Sequence, residues 1–189
     1  MAMPKAPAMP STTATSLAAA APAVVAHTHI RLRGHQQGDL TAYHARTPQA
    51  RVALVLGSTL ATFWSAAAAQ GVLEGFSAAR SALIAIPAQL PVIDDPFGQP
   101  AIAVDWTQRP HYAVVPQARV AEAQRRTLKW VDIHMGPITF QLLDRAAFHS
   151  MLELLSEAHR TAVAVCLDGD AHRADPTGDN YRSTNRGPV

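Results

Sequence analysis

The chain has 189 residues, 48% hydrophobic and 16% charged, which is too apolar for a disordered protein and too poor in charge for a coiled coil. Sixteen Lys+Arg against 14 Asp+Glu leave a net charge of +2, far from the basic excess of a chain that coats nucleic acid. A single cysteine, Cys166, excludes an internal disulfide and a thiolate-only metal site.

Residues 1–23 are Ala, Pro, Ser, Thr and Met around one charge, Lys5, and read as a disordered tail. Pro4, Pro7 and Pro10 and the weak hydrophobicity of Ala argue against an export signal in Leu17–Ala26, so a cytoplasmic location is expected. One α+β domain is expected over residues 24–175. In Val24–Arg33, Ala26, Thr28, Ile30 and Leu32 alternate with His27, His29, Arg31 and Arg33, a strand pattern.

From Val52 to Leu73 no residue is charged, a stretch long enough to be weighed as a membrane span. Gly57, Ser58, Thr59 and Ser65 interrupt it, and a hairpin followed by a helix explains it better. Val52, Leu54 and Leu56 form a strand, Gly57-Ser58-Thr59 a turn, Leu60–Trp64 a second strand, and Ser65 a helix cap. Ala69, Val72, Leu73, Phe76, Ala79 and Leu83 then make one apolar helix face that Pro87 ends. No membrane span is therefore expected.

Pro87, Pro91, Pro96 and Pro100 mark a long irregular connection. Ala101–Val115 supplies further strand pattern on either side of Thr107–Pro110, and Gln117–Arg126 is expected to be a short linking helix. Val131, Ile133 and Met135 then alternate with Asp132 and His134, Gly136-Pro137 turns the chain, and Ile138, Phe140 and Leu142 alternate with Thr139 and Gln141. Asp144 stands at a cap, before a helix whose apolar face is Phe148, Met151, Leu152, Leu155, Ala158 and Ala162. The polar, Gly/Pro-bearing stretch 176–189 reads as a second disordered tail.

Residues 52–81 align with 131–160 without a gap at an offset of 79, pairing Val52 with Val131, Gly57 with Gly136 and Leu73 with Leu152, and place the two repeats at 51–86 and 128–165. That self-similarity predicts an antiparallel sheet built from two repeated strand-turn-strand-helix units, with both helices on one face.

The chemistry-bearing residues are sparse. Trp130, Asp132, His134, Thr139 and Gln141 fall on the outer face of the second hairpin, where an aromatic beside polar groups can receive a ligand or a partner. His134 and Asp132 also carry the enzyme alternative, although no Ser or Cys nucleophile stands at a fixed spacing from them. His27 and His29 share a strand face without a third ligand, so no metal and no cofactor are expected. Asp168, Asp170 and Asp179 have calcium-loop spacing, but Arg173 occupies the position that needs Gly, so the segment reads as a solvated helix exit. Arg31 and Arg33, with Arg125, Arg126 and Lys129, are the candidate phosphate contacts. Lys5 and Lys129 are the only lysines, so Arg is the default cation and its clusters carry little weight. The expected function is a non-catalytic binding or regulatory domain acting through its sheet face on a protein partner or a second copy. Weak, sequence-indifferent nucleic-acid binding through the Arg-rich stretches is the alternative.

Overall fold

The computed structural model describes residues 27–91, 102–122 and 125–183; the expected N-terminal tail, the question of an export signal and most of the proline-rich connection lie outside them. Eight strands form two four-stranded sheets. Sheet A has the order β1-β8-β7-β6, with β1 at Thr28–Leu32, β6 at Ala113–Ala121, β7 at Arg126–Met135 and β8 at Ile138–Leu142. Sheet B has the order β2-β3-β4-β5, with β2 at Gly38–Tyr43, β3 at Arg51–Leu56, β4 at Thr59–Phe63 and β5 at Ile102–Trp106.

The expectation of one antiparallel sheet is corrected in two respects. There are two sheets, and both are mixed: β1 runs parallel to β8, and β5 runs parallel to β4. The cause lies in the connections. Hairpins join β3 to β4 and β7 to β8, which forces antiparallel pairing. The chain leaves β4 through a helix and returns to the same end of the sheet as β5, which forces parallel pairing.

The hairpins and caps follow local chemistry. Gly57 and Gly136 sit in the two turns at φ 49 and 60, the left-handed region where a Cβ is costly. Helix α1 (Ala66–Ala78) starts at Ser65, whose hydroxyl accepts from the Ala68 N–H, and continues as a 3₁₀ turn over Ala79–Ala85. Helix α2 (Arg145–Val165) starts at Asp144, whose carboxylate accepts from the Ala147 N–H. The uncharged stretch from Val52 to Leu73 is thus divided between a hairpin and α1. No helix among the described residues is long and apolar enough to cross a membrane.

The helices do not lie together on one face of one sheet. α1 follows sheet B but also packs on β6 and β7 of sheet A, while α2 follows sheet A and also packs on β2 and β3 of sheet B; the two helices touch each other. α1 is consequently buried nearly all round, including Gln70 and Glu74. The core joins Val52, Leu54 and Phe63 of sheet B, Val131, Ile133 and Phe140 of sheet A, and Val72, Leu73, Phe76, Phe148 and Met151 of the helices. Leu152 is only half-buried.

Residues Gln117–Ala121, expected to be helical, are the second half of β6, paired with β7 through Ala121 opposite Arg126. Helix propensity in Ala118 and Ala121 yields to nine residues of cross-strand pairing. Pro116 is tolerated because β6 is an edge strand.

The C-terminal stretch expected to trail from the domain is fastened to α1 as far as it is described. Ser77 Oγ donates to the Pro176 carbonyl at 2.9 Å, and Tyr181 Oη donates to Glu74 Oε2 at 2.8 Å. Asp168 is not a solvated exit: its two oxygens accept from the Ala66 and Ala67 N–H groups at 2.9 and 3.0 Å, so the end of α2 caps the start of α1.

Candidate functional site

Strand alternation places Trp130, Asp132, His134, Thr139 and Gln141 on the outer face of sheet A and brings them together. They bond to one another. Trp130 Nε1 and Gln141 Nε2 both donate to Asp132 Oδ1, at 2.9 and 3.1 Å. Arg31 Nε donates to Gln141 Oε1 at 3.1 Å, so a chain of contacts crosses β7, β8 and β1. His134 Nδ1 and His27 Nε2 both lie against Thr139 Oγ1, at 2.8 and 2.7 Å.

This face differs from the open one expected. Asp132 is 6% exposed and Thr139 fully buried beneath their neighbours. Asp132 is bonded to Trp130 and Gln141 rather than to His134, so it does not orient the imidazole. A Thr139 hydroxyl closed off from solvent cannot attack an incoming substrate. The His27 and His29 rings lie tilted against each other at 4.7 Å between centroids, and among the described residues no group of three His, Cys, Asp or Glu is placed to hold a metal.

The candidate phosphate contacts do not converge. Arg31 and Arg33 belong to the β1 end of sheet A, whereas Lys129 lies on β7 where it pairs only with β6. Lys129 also shares the parity of Val131 and Ile133, the opposite face of the sheet from Arg31. Arg125 is in the β6–β7 turn at φ 48, and Arg126 begins β7 at the far end of that ribbon.

The feature that sequence reasoning missed is a cleft of about 560 Å³ between the inner face of sheet B and the strand β1 at the edge of sheet A. Its walls are Leu54, Phe63 and Trp106 from sheet B, Phe140 from sheet A, Val72 and Phe76 from α1, and Met151 and Leu155 from α2. Each sits where its element's periodicity puts a core residue. Periodicity cannot distinguish a side chain that meets a facing element from one that meets a gap, so no sequence signal marks the cleft. At its mouth stand His29, Arg31, Arg33 and His35, with the hairpin turn Gly57-Ser58 opposite. Arg33 Nε is buried without a hydrogen-bond partner among the described residues.

A second polar cluster is closed and structural. Glu74, 3% exposed, pairs with Arg109 and also accepts from Tyr112, Tyr181 and Ser183. Arg109 donates further to Gln70 and Tyr181. Burial, with the bond to Glu74, pushes the Tyr181 phenol above its ordinary value. Burial also pushes up the Cys166 thiol, 2% exposed at the end of α2, and leaves it a poor nucleophile.

No family model matches the chain, and no curated protein or solved structure is matched by it.

Proposed function

We propose that this is a non-catalytic binding domain whose ligand is a small, largely apolar molecule held in the cleft between the sheets. The observation that carries the reading is the cleft itself. Protein interiors are close-packed, with few voids larger than a water molecule, yet here two sheets and two helices converge around about 560 Å³ of apolar-walled space. That size falls in the range of small-molecule sites, which are concave, mostly apolar and fitted with a few polar groups.

The test is a fluorescence titration with a neutral apolar dye, Nile red. Ala61, on the inner face of β4, lines the cleft, and Ala61→Phe fills it. The dye is expected to bind the parent protein saturably and to lose at least tenfold in affinity, about 1.4 kcal/mol, in the variant. Circular dichroism confirms that the variant is folded. Equal binding by both proteins, or none by either, would refute the cleft.

A partner-binding role for the outer face of sheet A is a second reading, favoured by the chain of contacts from Trp130 to Arg31 across three strands. We also read residues 51–86 and 128–165 as copies of one hairpin–helix unit. Support comes from the positive-φ turn glycines Gly57 and Gly136 and from the caps Ser65 and Asp144, each accepting from the residue three positions on.

A further inference from the structure

We infer that the ligand of the cleft is a single-chain amphiphile with an anionic head group, carboxylate or phosphate, seated against Arg33. This names the chemical class for the site proposed above and rests on that reading.

Three observations converge. The interior of the cleft is apolar and aromatic, walled by Phe63, Phe76, Phe140 and Met151, and suits a hydrocarbon chain. The mouth carries the positive charges of Arg31 and Arg33, with His29 and His35 beside them, and among the described residues no Asp or Glu lines it. Clefts with cationic rims and low-dielectric walls focus their field on anions.

The third observation separates Arg33 from its neighbours. Arg31 directs its Nε to Gln141, on the outer face of the sheet. Arg33 is half-buried, and its Nε is out of water with no acceptor among the described residues. The carboxylate beneath the adjacent Gly34 belongs to Asp144, which is occupied by three backbone N–H groups, those of Gly34, Leu90 and Ala147. A guanidinium nitrogen held out of water without an acceptor costs free energy, which makes Arg33 the side chain of the rim with unspent hydrogen-bonding capacity. Arg33 lines the cleft and its side chain makes no hydrogen bond or ion pair among the described residues, so an anionic head group at the mouth supplies an acceptor for the terminal guanidinium nitrogens through a charge-assisted bond. A neutral head group of equal chain length does not. The cleft therefore discriminates by head group at Arg33 and by chain along the aromatic wall.

The experiment is calorimetric titration of the full chain with dodecanoate, dodecyl phosphate and dodecanol, each below its micellar concentration, in the parent protein and in Arg33→Gln. An anion is expected to bind roughly tenfold or more tighter than the alcohol. Arg33→Gln is expected to remove that preference, bringing the affinities of the anions and of dodecanol together. Whichever of dodecanoate and dodecyl phosphate binds tighter identifies the head group. If dodecanol binds as well as both anions, the head-group assignment fails and the apolar cleft stands. If none of the three binds, the cleft reading fails as well. The comparison of anion with alcohol in the parent protein needs no variant, so a misfolded Arg33→Gln leaves the test decisive.

Discussion

Gly169 shows how tightly the chain folds back on the last turn of α2. A Cβ built there would collide with the backbone carbonyl of Val163, which cannot swing aside as a side chain can. The close approach lets Asp168, one residue earlier, reach the two free N–H groups at the start of α1. Gly169→Ala is expected to cost about 1–3 kcal/mol, the range for overpacking, in a guanidinium melt. Gly178→Ala serves as the control, because its nearest atom, the Asp175 carbonyl oxygen, lies at an ordinary 3.4 Å. Equal midpoints for the two variants would mean that the turn after α2 is not packed as described.

At the scale of elements, α1 departs most from the simple amphipathic helix. It is wedged between two sheets and α2, so its polar residues are buried and must be satisfied within the protein. Glu74 is the extreme case, and Arg109, 22% exposed, is its countercharge. Arg109→Leu strands a buried carboxylate and is expected to destabilise by about 3–5 kcal/mol, whereas Glu74→Leu with Arg109→Leu together should recover much of the loss. Urea melts of the two proteins measure the difference. A single variant as stable as the parent would place Glu74 in contact with water. The neighbouring α2 is a conventional amphipathic helix, and its Leu152 is half-buried because it lies at the margin of the apolar stripe.

At the scale of the whole molecule, His159 couples folding to pH. Burial pushes its imidazole below the ordinary value of 6.5, and its Nε2–H donates to the His172 carbonyl at 2.8 Å. The bond to that carbonyl and the charge of Asp175 partly offset the shift, while Arg109 and His172 add to it. The unfolded chain therefore binds a proton at this residue more readily than the folded one. Stability at His159 is full above pH 6.5 and falls as the pH drops from there toward the folded-state value. His159→Gln keeps a donor for the carbonyl but does not titrate. Between pH values of about 7.5 and 5 the parent is expected to lose more unfolding free energy than this variant. Parallel losses would assign the pH dependence to other groups.

The contrast between legible and illegible parts follows the range of the forces involved. The β3–β4 and β7–β8 hairpins, their turn glycines, the caps Ser65 and Asp144 and the apolar faces of both helices were readable, because each depends on residues within a few positions. The outer-face set Trp130, Asp132, His134, Thr139 and Gln141 was readable as a set for the same reason, since strand parity is local. Its closure was not, because the cover comes from His27 and Arg31, more than a hundred residues away. The run Gln117–Ala121 was misread because its partner strand outweighs the helix preference of its alanines. β2 carried only a weak alternation of Leu40 and Ala42 with Asp39, Thr41 and Tyr43, and its pairing with β3 decides it.

The sequence by itself determined most of the local units: the two central hairpins, the starts of both helices and their apolar faces, with no helix among the described residues long and apolar enough to cross a membrane. Tertiary structure alone decided that the strands divide into two mixed sheets, that each helix packs on the sheet opposite its own, and that a cleft remains between them. It also decided which buried groups find partners: Glu74 finds Arg109, and Arg33 Nε finds none among the described residues. The reason is that periodicity and capping act over one or two turns of chain. Sheet order, cavity walls and long-range ion pairs depend on where distant segments meet, and a one-dimensional pattern does not encode a gap between two apolar faces.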